Sequence, residues 1–245
     1  MSRADTLHIT VAPGHDALRS LLALAWPDLV AASRGLEGGR GGIRELPGGL
    51  ILRRCRRGGA LGAWLGDRHL SPRRAMEEMT VSERLLRDGV GVAEVVGVRA
   101  EKHGLAWRLD VVTRKIEDAT PLRDLLPRAP VAAVARAVRR MHDAGLRHAD
   151  LNLQNILVTR AGDVRIIDLA GSRVLRPLPE SARLDNLARL YRSLVKQRLP
   201  HSAFSLGRFL AVYAGRDRAA IRRIVAAARR RMLRHRLWWA ITGRG

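Results

Sequence analysis

Cysteine is nearly absent: the 245 residues contain one, Cys55. That excludes an internal disulfide and fits a reducing compartment. Aromatic residues are scarce as well, at 4%. No apolar run approaches the roughly eighteen residues of a membrane-spanning helix. The N-terminus, with Asp5 early, lacks the basic-then-apolar order of a signal peptide, so a cytoplasmic location is expected. Carboxylates are in deficit: 23 Asp and Glu face 45 Lys and Arg, giving a formal charge of +22 carried overwhelmingly by arginine. Such a surplus draws a protein to polyanions, whether nucleic acid, an anionic membrane face or phosphorylated glycolipid. Neither an internal repeat nor a long low-complexity linker is present. Hydrophobic residues, at 47%, exclude whole-chain disorder and supply a real core.

What is present centres on the stretch from Arg147 to Asp168. It reads His148-Ala149-Asp150-Leu151-Asn152-Leu153-Gln154-Asn155, an apolar run Ile156 to Val158, a polar turn Arg160 to Asp163, and a second apolar run Val164 to Ile167 ending in Asp168. An H-x-D-x-x-x-x-N loop followed by a strand-terminal Asp reproduces the catalytic-loop and metal-Asp pair of the protein-kinase signature. Phosphoryl transfer needs little covalent chemistry from the protein. It needs a carboxylate near the acceptor hydroxyl and oxygen ligands on Mg²⁺ to neutralise developing charge. Asp150 suits the first role, and Asn155 with Asp168 the second. The two apolar runs pair as a hairpin, which brings Asp168 beside Asn155. His148 is read as a structural residue that holds the loop.

The flanking chain reads as two lobes. Residues 1–34 form a strand and a short helix with Leu18, Leu21, Leu22 and Ala25 on one face, ended by Pro27, as an extension on the first lobe. Residues 35–116 form a nucleotide-binding lobe and 117–245 a mainly helical one. The glycine-rich Gly39-Arg40-Gly41 precedes two strands, Ile43 to Leu46 and Leu50 to Cys55, and its amides suit phosphates. Arg53 stands where a kinase places its phosphate-gripping Lys; a guanidinium can hold phosphate oxygens bidentately. The arginines around Cys55 favour a thiolate, but a packed strand residue is the simpler account. A helix over 72–88 puts Glu78 on its inner arc, making it the partner expected for Arg53. Strands over 92–98 and 107–113 lead to a hinge at Thr113, Arg114, Lys115 and Ile116, whose backbone is expected to meet an adenine. Amphipathic helices follow over 131–141 and 183–197. At the end, Ile221, Ile224, Val225, Ala228 and Met232 form one stripe, with Arg223, Arg230 and Arg234 facing away, and Trp238 and Trp239 beyond. This is either a packed terminal helix with a basic face or an interfacial membrane anchor.

With these residues in view, the chain resembles the bacterial lipopolysaccharide core kinases, close to those acting on Kdo (3-deoxy-D-manno-octulosonic acid). The resemblance rests on Gly39-Arg40-Gly41, Leu52-Arg53-Arg54-Cys55-Arg56-Arg57-Gly58-Gly59, His142-Asp143-Ala144-Gly145, the His148 to Leu157 stretch and Leu187 to Lys196. It implies an α+β, two-lobed protein-kinase-like fold: a small antiparallel-sheet lobe with one helix and a mainly helical lobe. It also implies ATP with Mg²⁺, transfer of the terminal phosphate to a Kdo hydroxyl (the 4-OH) of lipid A or inner core, and work at the cytoplasmic face of the inner membrane. The partners so implied are the glycolipid and an anionic membrane surface rather than nucleic acid. Two departures stand out. Leu169-Ala170 follow Asp168 where the family usually has Phe and Asp, and Asn152 replaces the Lys of protein kinases, which favours a glycan or small-molecule acceptor. The alternatives are an aminoglycoside- or choline-type phosphotransferase, disfavoured by the shortage of carboxylates, and a pseudokinase or polyanion-binding module, favoured by the missing Lys.

Overall fold

The computed structural model describes residues 7–36, 42–56, 66–197 and 203–242, with 203, 204 and 232–242 as backbone only. Gly39, Arg40, Gly41 and the Arg57-Gly58-Gly59 break lie outside these residues. The chain divides into two compact units, Met1–Arg84 with Ala93–Ile116, and Leu85–Val92 with Glu117–Gly245.

The first unit is built on an antiparallel sheet. Its strands are β1 (Leu7–Val11), β2 (Arg34–Gly35), β3 (Ile43–Leu46), β4 (Leu50–Arg54), β5 (Arg68–His69), β6 (Val95–His103) and β7 (Ala106–Arg114). They run in the order β1-β6-β7-β4-β3-β2, with β5 also on β7. Alternation along β7 sends Val112 to one face and Leu109 and Val111 to the other, as a period of two requires. An irregularity between Val95 and Gly97 shifts the phase of β6, which is why Val95 and Val98 share a face. One face packs under α1 (Asp16–Leu22) and α2 (Trp26–Ala31) through Leu18, Leu22 and Leu29 against Leu46, Leu52, Val96 and Val112. The other packs under α3 (Arg73–Arg87) through Ala75 and Met79 against Cys55, Val98, Leu109 and Val111. Segment 7–31 thus contributes an edge strand and one whole cover of the sheet, with two short helices where the extension was expected to have one. Pro27, expected to end a helix, instead lies in the first turn of α2, where its missing N–H costs no hydrogen bond. Cys55 behaves as a packing residue: burial pushes its thiol up to about 12, against the pull of Arg53.

Between sheet and α1 lies a buried ionic cluster. Asp110 Oδ1 accepts from Arg54 Nε at 2.9 Å and Oδ2 from Arg99 Nη1 at 3.3 Å. Arg99 also donates to Glu101 at 2.9 Å and to the Leu22 carbonyl at 3.0 Å. Both Asp110 and Arg99 are fully buried. Asp110 is thus shared by two guanidiniums, with Glu101 completing the partners of Arg99 and Asp67 approaching Arg54 at 3.6 Å, and such a buried network is stable only while its members are paired.

The second unit carries helices α4 (Val131–Asp143), α5 (Glu180–Lys196), α6 (Ala203–Tyr213) and α7 (Arg218–Thr242). It also holds the small antiparallel sheet β11-β10-β8, from Val164–Ile166, Ile156–Thr159 and Ala119–Pro121, and the pair β9 (Leu146–Arg147) with β12 (Arg173–Val174). Val134, Ala135, Val138 and Met141 are buried along α4 as its 3.6-residue periodicity predicts. The helix ends at Gly145, where φ is +89° and a Cβ would meet the Leu175 carbonyl oxygen at 2.2 Å; only glycine fits. Along α7, Ile224 and Ala227 are buried while Arg223 and Arg230 are exposed. Arg223 reaches Glu180 at 3.3 Å and Arg231 reaches Asp185 at 2.6 Å, so this part of the terminal helix lies on α5. Trp238 and Trp239 belong to the backbone-only stretch.

Replacing Asp110 with Ala removes the fully buried carboxylate shared by both guanidiniums, leaving Arg99 only Glu101 and Arg54 only the more distant Asp67, and is expected to cost about 3 kcal/mol. Urea unfolding of purified Asp110→Ala measures this, and a midpoint within error of wild type would refute the account of the cluster.

Candidate functional site

The loop from His148 to Asn155 is held from three sides, and almost every hold is on its backbone. Asn186, on the buried face of α5, receives the His148 N–H on Oδ1 at 3.0 Å and donates Nδ2 to the His148 carbonyl at 2.7 Å. Ser172 Oγ accepts the Ala149 N–H at 3.0 Å. Ser193 Oγ accepts the Leu153 N–H at 3.2 Å while donating to the Leu190 carbonyl of its own helix at 2.7 Å. Within the loop, Asn152 Oδ1 accepts the N–H groups of Gln154 (2.8 Å) and Asn155 (3.2 Å), a side-chain turn of the kind Asn forms readily. Leu151 and Leu153 are buried and pin the loop to the core.

His148 has the structural role expected of it. Its Nδ1 accepts the Asp150 N–H at 3.1 Å, so Nε2 carries the proton and donates to the Ile167 carbonyl at 3.1 Å. Burial lowers its pKa, which keeps the ring neutral in this tautomer. A single imidazole thereby ties Asp150 to the residue before Asp168.

The candidate side chains are brought together. Asn155 Nδ2 donates to the Asp150 carbonyl at 2.9 Å, which commits the NH₂ end of the amide and leaves Oδ1 as the end able to meet a cation. The expected hairpin is present, pairing Ile156 with Ile166, Leu157 with Arg165 and Val158 with Val164. Ile167 N–H then donates to the Asn155 carbonyl at 3.0 Å, so Asp168 emerges beside Asn155. Asp168 takes a left-handed φ of +59°, the strained conformation that Asp tolerates and that clusters at functional sites. One of its carboxylate oxygens, Oδ1, is shielded from solvent. Asp150 is the exposed member: its Oδ2 accepts from Asn152 Nδ2 at 3.1 Å and its Oδ1 from Arg189 Nη1 at 3.2 Å.

In the first unit, the expected pairing of Arg53 with Glu78 is present, Nη2 to Oε1 at 2.6 Å, with Glu78 buried. The hinge fares differently. Thr113 lies within β7, paired with Ile51 and Val95. The Lys115 N–H is taken by the Gly49 carbonyl at 2.8 Å and its ammonium by Glu45 at 2.7 Å. The Lys115 amide is therefore engaged with the β3–β4 turn.

Several residues that build the site carry no role on the sequence pattern alone: Asn186 and Ser172 outside the quoted pieces, and His142, Arg189 and Ser193 within them. One signal was available. A helix whose inner arc is otherwise Leu187, Leu190 and Leu194 buries an asparagine, and a buried amide demands partners. Asn186 Oδ1 also faces His142 Nε2 at 3.3 Å, whose Nδ1 accepts from the Tyr213 hydroxyl at 2.8 Å.

The lipopolysaccharide kinase (Kdo/WaaP) family model matches residues 30–213. The chain belongs to this family. It is 37% identical over 157 residues to a 3-deoxy-D-manno-octulosonic acid kinase of Photobacterium profundum, covering 60% of this chain and 66% of that protein. To its Vibrio cholerae counterpart it is 33% identical over 155 residues, covering 60% and 65%. To that of Xanthomonas campestris pv. campestris it is 35% identical over 173 residues, covering 66% and 69%. The chain thus spans just under two thirds of the length of the first two relatives. Among solved structures it resembles WaaP in complex with acyl carrier protein, with a TM-score of 0.62, 21% identity and coverage of 91% of this chain and 97% of that one. The fold is accordingly the α+β, protein-kinase-like one. Family membership covers both the Arg53–Glu78 pair and the Asp150 to Asp168 loop, which fall inside the matched span.

Burial pulls His142 down to about 4 from its ordinary 6.5, so it is neutral in the folded protein. As pH falls, the unfolded chain binds this proton first. The associated stability is complete above about 6.5 and is lost between there and about 4, on the order of 3 kcal/mol in all. His148 adds a loss of the same sign. Urea midpoints measured from pH 7 to pH 4.5 are expected to fall less steeply in His142→Gln than in wild type; equal slopes would assign the acid sensitivity elsewhere.

Proposed function

We propose that this member of the lipopolysaccharide kinase family is an ATP- and Mg²⁺-dependent kinase that phosphorylates a sugar hydroxyl, the 4-OH of Kdo on lipid A or inner core. The observation that carries the reading is the junction at Asn155, whose side chain is bonded to Asp150 and whose carbonyl is bonded to Ile167, next to Asp168. These bonds tie the backbone around a carboxylate suited to an acceptor hydroxyl to that around two residues suited to a hard cation. The curated relatives bear the name of this activity.

The donor set fits Mg²⁺. Among the described residues no three His, Cys, Asp or Glu side chains gather as a closed metal site. An amide oxygen and a carboxylate are what an ion needs that takes its remaining ligands from phosphate and water. Asn155 and Asp168 would hold the ion, and Mg²⁺-ATP supplies the phosphoryl group together with neutralisation of its charge.

The protein's own part is positional and electrostatic. Asp150, exposed and fixed through its main chain by His148 and Asn155, accepts a hydrogen bond from the acceptor hydroxyl and orients its lone pair toward phosphorus. Asn152 and Arg189 hold the carboxylate oxygens in place. Arg53, steadied by Glu78, is the phosphate-binding cation in place of Lys; its bidentate fork suits phosphate oxygens. Gly39, Arg40 and Gly41 are assigned to the phosphates and the Thr113 to Lys115 segment to the adenine, on the sequence pattern. The buried carboxylate of Glu78 orients that cation.

We place the protein peripherally at the cytoplasmic face of the inner membrane. The exposed Arg222, Arg223, Arg229 and Arg230 of α7 support this, each basic residue near an anionic surface being worth about 1 kcal/mol. Among the described residues no helix is long and apolar enough to cross a membrane.

Asp150→Ala should lower phosphate transfer to Kdo-lipid A by roughly 10²–10⁴-fold. Asp168→Ala should be at least as damaging and should in addition abolish the rise in melting temperature that Mg²⁺-ATP gives wild type. A folded Asp150→Ala protein with near wild-type transfer would remove Asp150 from its role.

A further inference from the structure

The outer edge of α5 beside Asp150 carries two cations beyond the one that holds its carboxylate. Arg189, Arg192 and Lys196, spaced by three and four residues, lie along one strip of the helix. Arg189 begins the strip at Asp150 itself, Nη1 to Oδ1 at 3.2 Å, with its side chain 44% exposed. Arg192 is the odd member. It is half-buried, and among the described residues it makes no hydrogen bond and no ion pair. The carboxylate that it feels, Asp185, is held by Arg231 Nε at 2.6 Å. Desolvation and then the like charge of Arg189 both disfavour its ionised form.

A guanidinium on a solvated helix face keeps its water, and one inside a protein keeps a carboxylate. Arg192 has shed part of its hydration without gaining a partner among the described residues, next to a second guanidinium that repels it. An oxyanion lying over the pair removes both penalties, and two planar forks one turn apart suit a carboxylate. The acceptor places such a group there by its own covalent structure. The hydroxyl to be phosphorylated must reach Asp150, so the rest of the same sugar lies over the residues that flank Asp150, and the sugar named in the relatives is an acid.

We propose that Arg189 and Arg192 form an anion subsite that binds the carboxylate of the acceptor sugar, and that this contact selects which hydroxyl faces Asp150. This rests on the kinase reading above and extends it to recognition of the acceptor. Arg189 touches both the carboxylate of Asp150 and that of the sugar, while Arg192 touches the sugar alone. Truncating Arg192 should therefore weaken acceptor binding with little effect on the chemical step.

The test is steady-state transfer from ATP to three acceptors in neutral detergent micelles: Kdo-bearing lipid A, its carboxyl-amidated form and its dephosphorylated form. Wild type, Arg192→Gln and Arg192→Lys are compared, each with its melting temperature measured. On the unmodified acceptor, Arg192→Gln should raise the acceptor KM about 10- to 100-fold, the span of a charge-assisted hydrogen-bonded pair, with the KM for ATP unchanged and kcat within a few-fold. Arg192→Lys should recover part of the loss. On the amidated acceptor wild type and Arg192→Gln should coincide, and on the dephosphorylated acceptor the gap should remain. A gap that survives amidation and vanishes on dephosphorylation overturns the assignment in favour of a lipid phosphate. An unchanged acceptor KM in an active, folded Arg192→Gln overturns the subsite and leaves the kinase reading standing. Absence of transfer by wild type to all three acceptors defeats the kinase reading, and the subsite with it.

Discussion

The second unit depends on the carboxamide of Asn186. A loop that must expose Asp150 cannot satisfy its backbone in a helix or sheet, and its polar groups would otherwise be buried without partners. Asn186 answers both backbone groups of one residue, taking the His148 N–H and giving to the His148 carbonyl. An amide can do this where a carboxylate cannot, because it is donor and acceptor at once. Its oxygen is shared with His142, whose neutral ring is held in turn by Tyr213. Position is thereby transmitted from α6 through α4 and α5 to the loop without a formal charge along the way.

The first unit solves a related problem with charge. Asp110 lies between Arg54 and Arg99 with no exposure to water, and Arg99 reaches over to the Leu22 carbonyl at the end of α1. The cluster thus ties the helical cover supplied by segment 7–31 to the strand β7 at the centre of the sheet. Arg54 also stacks on Trp26 at 3.3 Å, adding a cation–π contact at the start of α2. In a chain so rich in arginine, structural and functional guanidiniums coexist, and burial with a partner is what separates Arg99 from Arg192.

Much of the local structure was legible. The hairpin from Ile156 to Ile166, the inner arc of α4 and the pairing of Arg53 with Glu78 follow from alternation and from 3.6-residue periodicity, which are properties of the chain itself. Pro27 was misread because a proline marks a boundary without saying on which side the helix lies. The engagement of the Lys115 amide with the Gly49 carbonyl was not legible, since a strand-turn contact is not encoded by any local pattern. Asn186, Ser172 and Ser193 went unassigned because each acts on a backbone group 23 to 40 residues distant in sequence.

The sequence by itself determined the chemistry on offer: a carboxylate and an amide five positions apart, a strand-terminal aspartate, a guanidinium in a strand and an excess of positive charge. Spacing along a chain decides these, since side-chain type and local conformation are short-range properties. Tertiary structure alone decided which of the arginines are buried with partners, which polar side chains of α5 support the loop, and that Arg189 meets Asp150. Those outcomes depend on how distant faces pack, and packing is settled by the whole core.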